Sequence, residues 1–322
     1  MYVVSVGIPA YNEERNMGAL LSSILEQEMD GKGRVHEIIV VSDGCTDRTP
    51  QILHEFSKKD SRIKTYHYDR RRGKAIALNE IFERSTGDFL VLFDADVIPS
   101  DNYIVSNLVS PLVSDSDIGL VGGLPVPFPP TTLIERASVF SDKIQHYIKE
   151  HINKGQNIYA AHGRVLALSS NFMRKARIPS IPGTDAYLYL KCIASGFSFR
   201  YVGNQASVYY RAPRNMKDYL RQSIRFKKVQ GIMRDIFGHM ATKESDIPKV
   251  LLLRAYFKNF LKDPRGGFLW TILFLYATAK SGKAEVSSKW EISRSSKSIS
   301  YSPSGHHGHN PSLLRERDSA KP

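Results

Sequence analysis

Short, nearly uninterrupted apolar runs mark the first third of the chain: Val3 to Ile8, Ile38 to Val41 and Phe89 to Phe93. Runs of this kind read as strands buried on both faces, as in a parallel sheet layered between helices. Between them the apolar positions change to helical spacing. Met17, Leu20, Leu21, Ile24 and Leu25 follow a polar Asn-Glu-Glu entry, where acidic groups suit the positive end of a helix. In "DRTPQILHEF", Thr49 is placed as a cap with Pro50 at the first helical position, and a third helix follows "RRRGKAIALNEIFERS". Beyond Pro99 the pattern predicts a helix near Asn102 to Val113, a strand near Ile118 to Gly122 and a Pro-rich loop at Pro125 to Pro130. A long helix from about Leu133 to Asn153, a strand around Tyr159 to Leu168 and a helix from about Asp185 to Ala194 come next. The strand "FSFRYVGNQASVYYR" then leads into a basic helix, Asn215 to Asp235. No internal repeat is present. The expected fold is α/β: a mostly parallel central sheet flanked by helices, with more helices towards the C-terminal end.

Composition narrows the class. A chain of 322 residues with 42% hydrophobic positions can bury a full core. Its 45 basic against 32 acidic residues give a net charge of +13, which favours an anionic partner. Nucleic acid is not the expected one, because the basic residues gather near Arg70 and after Arg211 instead of interleaving with aromatics on one strand face. Two cysteines, Cys45 and Cys192, are too few for a disulfide framework and point to a reducing compartment. The opening "MYVVSVGIPAYNEE" has no basic leader, and no segment reaches the roughly 20 apolar residues of a membrane span, so a cytoplasmic location is expected.

The candidate chemistry lies in "GDFLVLFDADVIPSDNY". Asp94 and Asp96 end an apolar strand, and in open parallel sheets ligands bind beyond the carboxyl ends of the strands. Two carboxylates this close repel unless a cation joins them. A hard divalent ion, Mg²⁺ or Mn²⁺, takes one or two carboxylates together with substrate phosphates. Asp43 in "VVSDGCTDRT" brings a third carboxylate to the same edge, placed to accept from a nucleobase N–H or to form a local turn. Gly73 permits close backbone approach and Lys74 begins a helix, both suited to a diphosphate.

Four segments taken in order, "PAYNEE" (Pro9 to Glu14), "SDGCTDRT" (Ser42 to Thr49), "GKAIALN" (Gly73 to Asn79) and "DADVIPS" (Asp94 to Ser100), resemble the family 2 inverting glycosyltransferases of the GT-A fold. The resemblance is strong over about residues 1–130 and looser to about 235. It implies a nucleotide-sugar donor. Pro9, Ala10, Tyr11, Asn12 and Glu14 would line base and ribose, Asp43 would bind uracil or another base, and Gly73 and Lys74 would lie near the donor. Asp94 and Ala95 would contact ribose or sugar, and Asp96 would hold the metal that bridges the diphosphate.

Direct displacement with inversion needs a carboxylate to take the acceptor's proton. Asp185, in "PSIPGTDAYLYLKCIASGF", follows a Pro-Gly loop and opens a helix; with Thr184 it resembles the family's E-D or T-D motif, whose aspartate is the proposed base. Thr184 either orients it or caps the helix. In "YLRQSIRFKK", Gln222 and Arg225 share a helical face and resemble a Q-x-x-R-W motif with Phe226 in place of tryptophan. Arg225 is a candidate for neutralising diphosphate or an acceptor phosphate. "AAHGRVLALSS" adds His162 and Arg164 as acceptor contacts or as plain strand residues. Alternatives left open are a noncatalytic basic module for membrane or nucleic acid, and a nucleotidyltransferase, although the first loop, "PAYNEERN", is acidic instead of phosphate-binding.

The expected organisation is a catalytic domain over 1–240, with donor-binding half 1–130 and acceptor half 131–240, then amphipathic helices over 241–282 and a polar, largely disordered tail over 283–322. The segment Pro248 to Lys280 pairs basic residues with a twelve-residue apolar run, too short to span a bilayer but suited either to its surface or to packing against the catalytic domain. A peripheral enzyme acting on a saccharide or lipid-linked acceptor at an anionic membrane surface is therefore expected. His306, His307 and His309 are read as part of the solvated tail.

Overall fold

The computed structural model describes residues 1–281; the expected tail over 283–322, with its three histidines, lies outside the described residues. Strand β1 (Tyr2–Ala10) is followed by α1 (Met17–Leu25), β2 (Gly33–Asp43), α2 (Thr49–Lys59), β3 (Ile63–Tyr68), α3 (Lys74–Arg84) and β4 (Phe89–Phe93). Next come β5 (Val97–Pro99), α4 (Ile104–Ser114), β6 (Ile118–Pro127), α5 (Leu133–His151) and β7 (Val165–Ser169). Then follow α6 (Ser170–Met173), α7 (Thr184–Ala194), β8 (Ser198–Tyr210), α8 (Met216–Phe237), α9 (His239–Glu244), α10 (Lys249–Lys262) and α11 (Pro264–Ser281).

The strands form one sheet in the order β3-β2-β1-β4-β7-β6-β8-β5. β1 runs parallel to β2 and β4, β2 to β3, and β6 to β8, whereas β7 is antiparallel to both β4 and β6 and β5 is antiparallel to β8. The apolar runs behave as their continuity requires. Within β2, Ile38 and Val40 face one core with α1 and α4, and Ile39 and Val41 face the other with α3 and α7. β4 divides likewise, Val91 and Phe93 against Leu90 and Leu92. Glu37 ties the sheet together from a fully buried position, accepting from the Ser5 hydroxyl, the Thr86 amide and hydroxyl, and the Lys64 ammonium.

Three local expectations are corrected. Thr49 is the first helical residue of α2 and not its cap; its hydroxyl donates to Asp47 and accepts from the Glu13 amide. The strand read from Tyr159 begins only at Val165. Ile158–Ala160 instead form a 3-10 turn, because the Asn157 side chain caps it by accepting from the Tyr159 amide. β6 runs on to Pro127, into the expected loop, since β8 pairs with it as far as Tyr210.

The C-terminal helices pack on the domain. Ala255, Tyr256, Phe260 and Trp270 meet Phe140, Ile144 and Ile148 of α5, and Leu273 meets Ala137 and Tyr219. The Arg136 guanidinium grips Asp263 between α10 and α11 with bonds of 2.6 and 3.0 Å. Their opposite sides remain exposed. Among the described residues no helix is long and apolar enough to cross a membrane.

Candidate active site

The carboxyl ends of β1, β2 and β4 lie at one edge of the sheet, with Ala10 beside Ser42 in register. They open onto a cleft of about 1510 Å³. Pro9, Ala10, Tyr11, Asp43, Lys74, Asp94, Ala95 and Asp96 line it from one side. Thr184 and Asp185 of α7, Gln222 and Arg225 of α8, and His162 and Arg164 line it from the other. Residues far apart in the chain, Asp43, Asp96 and Asp185 among them, thus share one cavity.

On the first side, Asp43 is buried and already holds a loop: its carboxylate accepts from the Arg72 amide at 2.9 Å and the Gly73 amide at 2.7 Å. Gly73 has φ +110°, a conformation that favours glycine, and this turn starts α3 so that Lys74 points back to the strand edge and pairs with Asp94. Burial pushes the Asp94 carboxyl up, with Asp96 adding to the effect and Lys74 and Arg164 opposing it. Asp96 is half-buried. Among the described residues no hydrogen-bond donor reaches its carboxylate. Asn12 and Glu14 do not line the cleft. The Asn12 side chain accepts from the Thr46 amide at 2.7 Å and that of Glu14 from the Arg48 amide at 3.1 Å, so both clasp the loop after β2. Sequence reading missed Arg71, whose guanidinium stacks 4.1 Å above the Tyr11 ring at the cleft wall.

On the second side, Gly183 takes a left-handed turn at φ +79° and starts α7 at Thr184, which is buried in the first turn and does not cap the helix. Asp185 accepts from the Gly163 amide at 3.2 Å and from the Ala186 amide at 3.0 Å. A Cβ on Gly163 would stand 3.4 Å from both the Asp185 Oδ2 and the Lys74 Nζ, so the Asp185 carboxylate and the Lys74–Asp94 pair flank a single backbone methylene. Arg164 donates to His162 Nε2 at 3.0 Å and lies 3.5 Å over the Tyr210 ring, and the Tyr210 hydroxyl donates to Asp142. Burial, then the fields of Arg164, Lys149, Lys74 and Arg225, holds the His162 imidazole neutral, well below its ordinary range. Burial also lowers Arg225, opposed by Asp185, Asp94 and Asp96. Asp142, Lys149 and Tyr210, like Arg71, carry no recognisable spacing in the sequence; the first three reach the cleft from α5 and β8, joined by the Tyr210–Asp142 hydrogen bond.

Among the described residues no group of three or more His, Cys, Asp or Glu side chains is placed to enclose a metal ion. The donor set fits an ion held in another way. Asp96, with lone pairs not used by the protein, and Asp94 beside it supply the one or two carboxylates that Mg²⁺ or Mn²⁺ takes when phosphate oxygens complete its shell.

Comparison with known proteins identifies the family and the fold. Residues 5–175 match the model of glycosyl transferase family 2. The chain is 42% identical over 95 residues to glycosyltransferase AglD of Haloferax volcanii, covering 29% of this chain and 15% of that protein. It is 41% identical over 123 residues to the probable glycosyltransferase YdaM of Bacillus subtilis, covering 37% and 29%. A dolichyl N-acetyl-glucosaminyl phosphate diacetamido-dideoxy-glucuronosyltransferase of Methanococcus voltae is 24% identical over 244 residues, 72% of this chain and 74% of that one. The mannosyltransferase PcManGT of Pyrobaculum calidifontis, solved with GDP-Man and Mn²⁺, superposes with a TM-score of 0.55 at 19% identity, covering 86% and 75%. Glucosyl-3-phosphoglycerate synthase of Mycobacterium tuberculosis, solved with Mn²⁺, UDP and phosphoglyceric acid, gives 0.51 at 19%, covering 72% and 78%. At such identities these structures establish the fold, GT-A.

Proposed function

We propose, from the premise that this chain belongs to glycosyl transferase family 2, that it is an inverting, divalent-metal-dependent enzyme moving a sugar from a UDP-sugar to a hydroxyl of a saccharide or lipid-linked acceptor. The observation that carries this is the meeting of Asp96 and Asp185 in one cleft, where Lys74 and Asp185 both approach Gly163. Pro9, Ala10 and Tyr11 form the wall for the base and ribose. Asp43, whose two oxygens each keep a lone pair beyond the loop bonds, accepts from the uracil N–H. Asn12, Glu14 and Gly73 shape that wall through the loops they hold, and Ala95 leaves room beside the ribose. Asp96 is the ligand for Mg²⁺ or Mn²⁺, which when bound supplies positive charge to the diphosphate, and Asp94, paired with Lys74, faces ribose or sugar.

Asp185 takes the acceptor's proton as the acceptor oxygen forms its bond to the anomeric carbon. The bond from that carbon to the diphosphate oxygen breaks on the opposite face, and its electron pair leaves with the nucleotide. Lys74 and Arg225 face the leaving charge; Thr184 and Gln222 flank the acceptor. In this reading residues 1–130 bind donor and 131–240 acceptor. UDP-sugar turnover with Mn²⁺ tests it: the wild type releases UDP, Asp96→Ala loses donor binding, and Asp185→Asn binds donor but does not transfer. Two fully active variants would overturn it.

The acceptor is reached at an anionic membrane surface, the inner face of the cell membrane. On α10, Val250, Leu253, Phe257 and Leu261 recur at helical spacing on the exposed side, and on α11 Phe268, Ile272 and Leu275 do the same; Leu261 is 81% exposed and Phe268 67%. Arg254, Lys258 and Lys262 flank the first row, a charge arrangement that suits acidic headgroups. In flotation assays the protein should rise with vesicles containing acidic lipid and release at high salt, and the pair Leu261→Ser and Phe268→Ser should stay behind. Failure to float, or self-association through this face, would exclude the surface role.

A further inference from the structure

One buried cation in the cleft has no part in the reaction described above. Lys149 lies in the last turn of α5, lines the cleft and is only 6% exposed. Among the described residues its ammonium meets no hydrogen-bond acceptor. Its neighbours are the Tyr201 ring, 5.4 Å away, and the carboxylates of Asp142 and Glu150 acting through space. Both acids are engaged elsewhere: Asp142 accepts from the Tyr210 hydroxyl, and Glu150 lies 3.0 Å from His146 Nε2. The ammonium opens to the cleft from an otherwise buried side chain, so it is only partly hydrated, and an anion entering the cleft would offset that desolvation. Arg164 approaches the same region over the Tyr210 ring, and His162, kept neutral, sits in the fields of both cations. The run His162-Gly163-Arg164 connects this region to the reaction centre, since the Gly163 amide holds Asp185.

We propose that this end of the cleft is an anion subsite and that the acceptor is a phosphate-bearing alcohol, its phosphate held by Lys149 with Arg164 beside it while its hydroxyl faces Asp185. The proposal rests on the glycosyltransferase reading of the cleft. A phosphate ester can come from a free metabolite or a lipid headgroup, and the experiment separates the two.

The full chain, saturated with UDP and Mn²⁺ to fill the donor side, is titrated by calorimetry with glycerol 3-phosphate and, separately, with lysophosphatidic acid in neutral detergent micelles. Saturable binding of either ester is expected, and which one binds identifies the source. Lys149→Met should weaken it about tenfold or more, the size of one charge-assisted hydrogen bond, while UDP binding persists. Burial lowers the Lys149 ammonium to about 8, with Asp142 and Glu150 opposing. Binding should therefore weaken as pH rises through about 8, a range in which the phosphate, with its second ionisation near 6, keeps its full charge. Lys149→Arg should bind and hold its affinity to about pH 9. Normal UDP binding with neither ester bound, wild-type affinity in Lys149→Met, or a flat pH profile would overturn the subsite. If UDP and Mn²⁺ do not bind at all, the donor reading falls instead, and the same titration of the unliganded protein still decides on the subsite.

Discussion

Asp185→Asn replaces one carboxylate oxygen by an amino group at nearly constant shape, and both of its consequences follow from the site. The two oxygens accept from the Gly163 and Ala186 amides. Asparagine has one acceptor oxygen, so one amide loses its partner at a cost of about 0.5–1.5 kcal/mol where water can enter. Loss of the negative charge in the first turn of α7 removes roughly another 0.3–1 kcal/mol. The variant should thus be less stable by about 1–2 kcal/mol, a shift of a few degrees in Tm for a domain of this size, and remain folded at assay temperature. A base that cannot accept a proton costs far more, about 10²–10⁴ in rate, or roughly 3–5 kcal/mol of barrier. The assay follows sugar transfer and UDP release separately, with donor affinity measured by calorimetry. The expected result is a kcat lowered by at least about a hundredfold, donor affinity within a few-fold of wild type and a melting curve shifted down by only a few degrees. A kcat within about threefold of wild type, or a loss residing wholly in donor affinity, would refute the assignment of Asp185 as base.

Asp96→Ala should cost little stability, because the protein gives that carboxylate no hydrogen bond, yet abolish the Mn²⁺-dependent part of UDP binding; calorimetry with and without the ion reads both. Gly183→Ala places a Cβ against Val229 at φ +79°, so a loss of about 2–4 kcal/mol is expected from backbone strain and overpacking together, measurable by urea denaturation. Burial alone would raise the Glu37 carboxyl, but bonds from Lys64, Ser5 and Thr86 outweigh it and lower it from 4.5 to about 2. Its contribution, on the order of 3 kcal/mol, is fully present above about pH 4.5 and is lost as pH falls towards 2. Glu37→Gln should flatten that limb of the stability curve, and equal acid sensitivity in both proteins would disprove it.

The donor edge was legible in the sequence because its residues occupy the ends of strongly patterned elements. Asp43 and Asp94 end continuous apolar runs and Lys74 opens an amphipathic helix, so short-range pattern suffices to bring them to one edge. Asp185 was readable only from the order of motifs, since nothing local distinguishes it from any acid in a first helical turn. Around Arg164, which the sequence offers as an acceptor contact, the partners Asp142, Lys149 and Tyr210 were not readable: they meet because a helix, a turn and a strand up to 68 positions apart come together. Edge strand β3 escaped because Lys64, Thr65 and His67 interrupt its apolar residues, and the strand expected from Tyr159 takes in part of a 3-10 turn because apolar residues alone do not reveal the Asn157 cap before them. For Asn12 and Glu14, motif position indicated the right neighbourhood, while their side chains serve the adjoining loop.

The reversed strand β7 bears on how such a molecule can be altered. It enters between β4 and β6 from the opposite direction, so the Asp94 amide donates to the Arg164 carbonyl at 3.0 Å across the seam. Segments from before and after residue 130 are therefore interleaved in one sheet instead of sitting as cassettes in tandem. A chimera joined to a relative near residue 130 would inherit a β4 and a β7 that never evolved as a pair, and mismatch there would disturb both substrates at once. Recombination of specificity in this scaffold should succeed by exchanging the loops at the sheet edge, with the strands kept from a single parent.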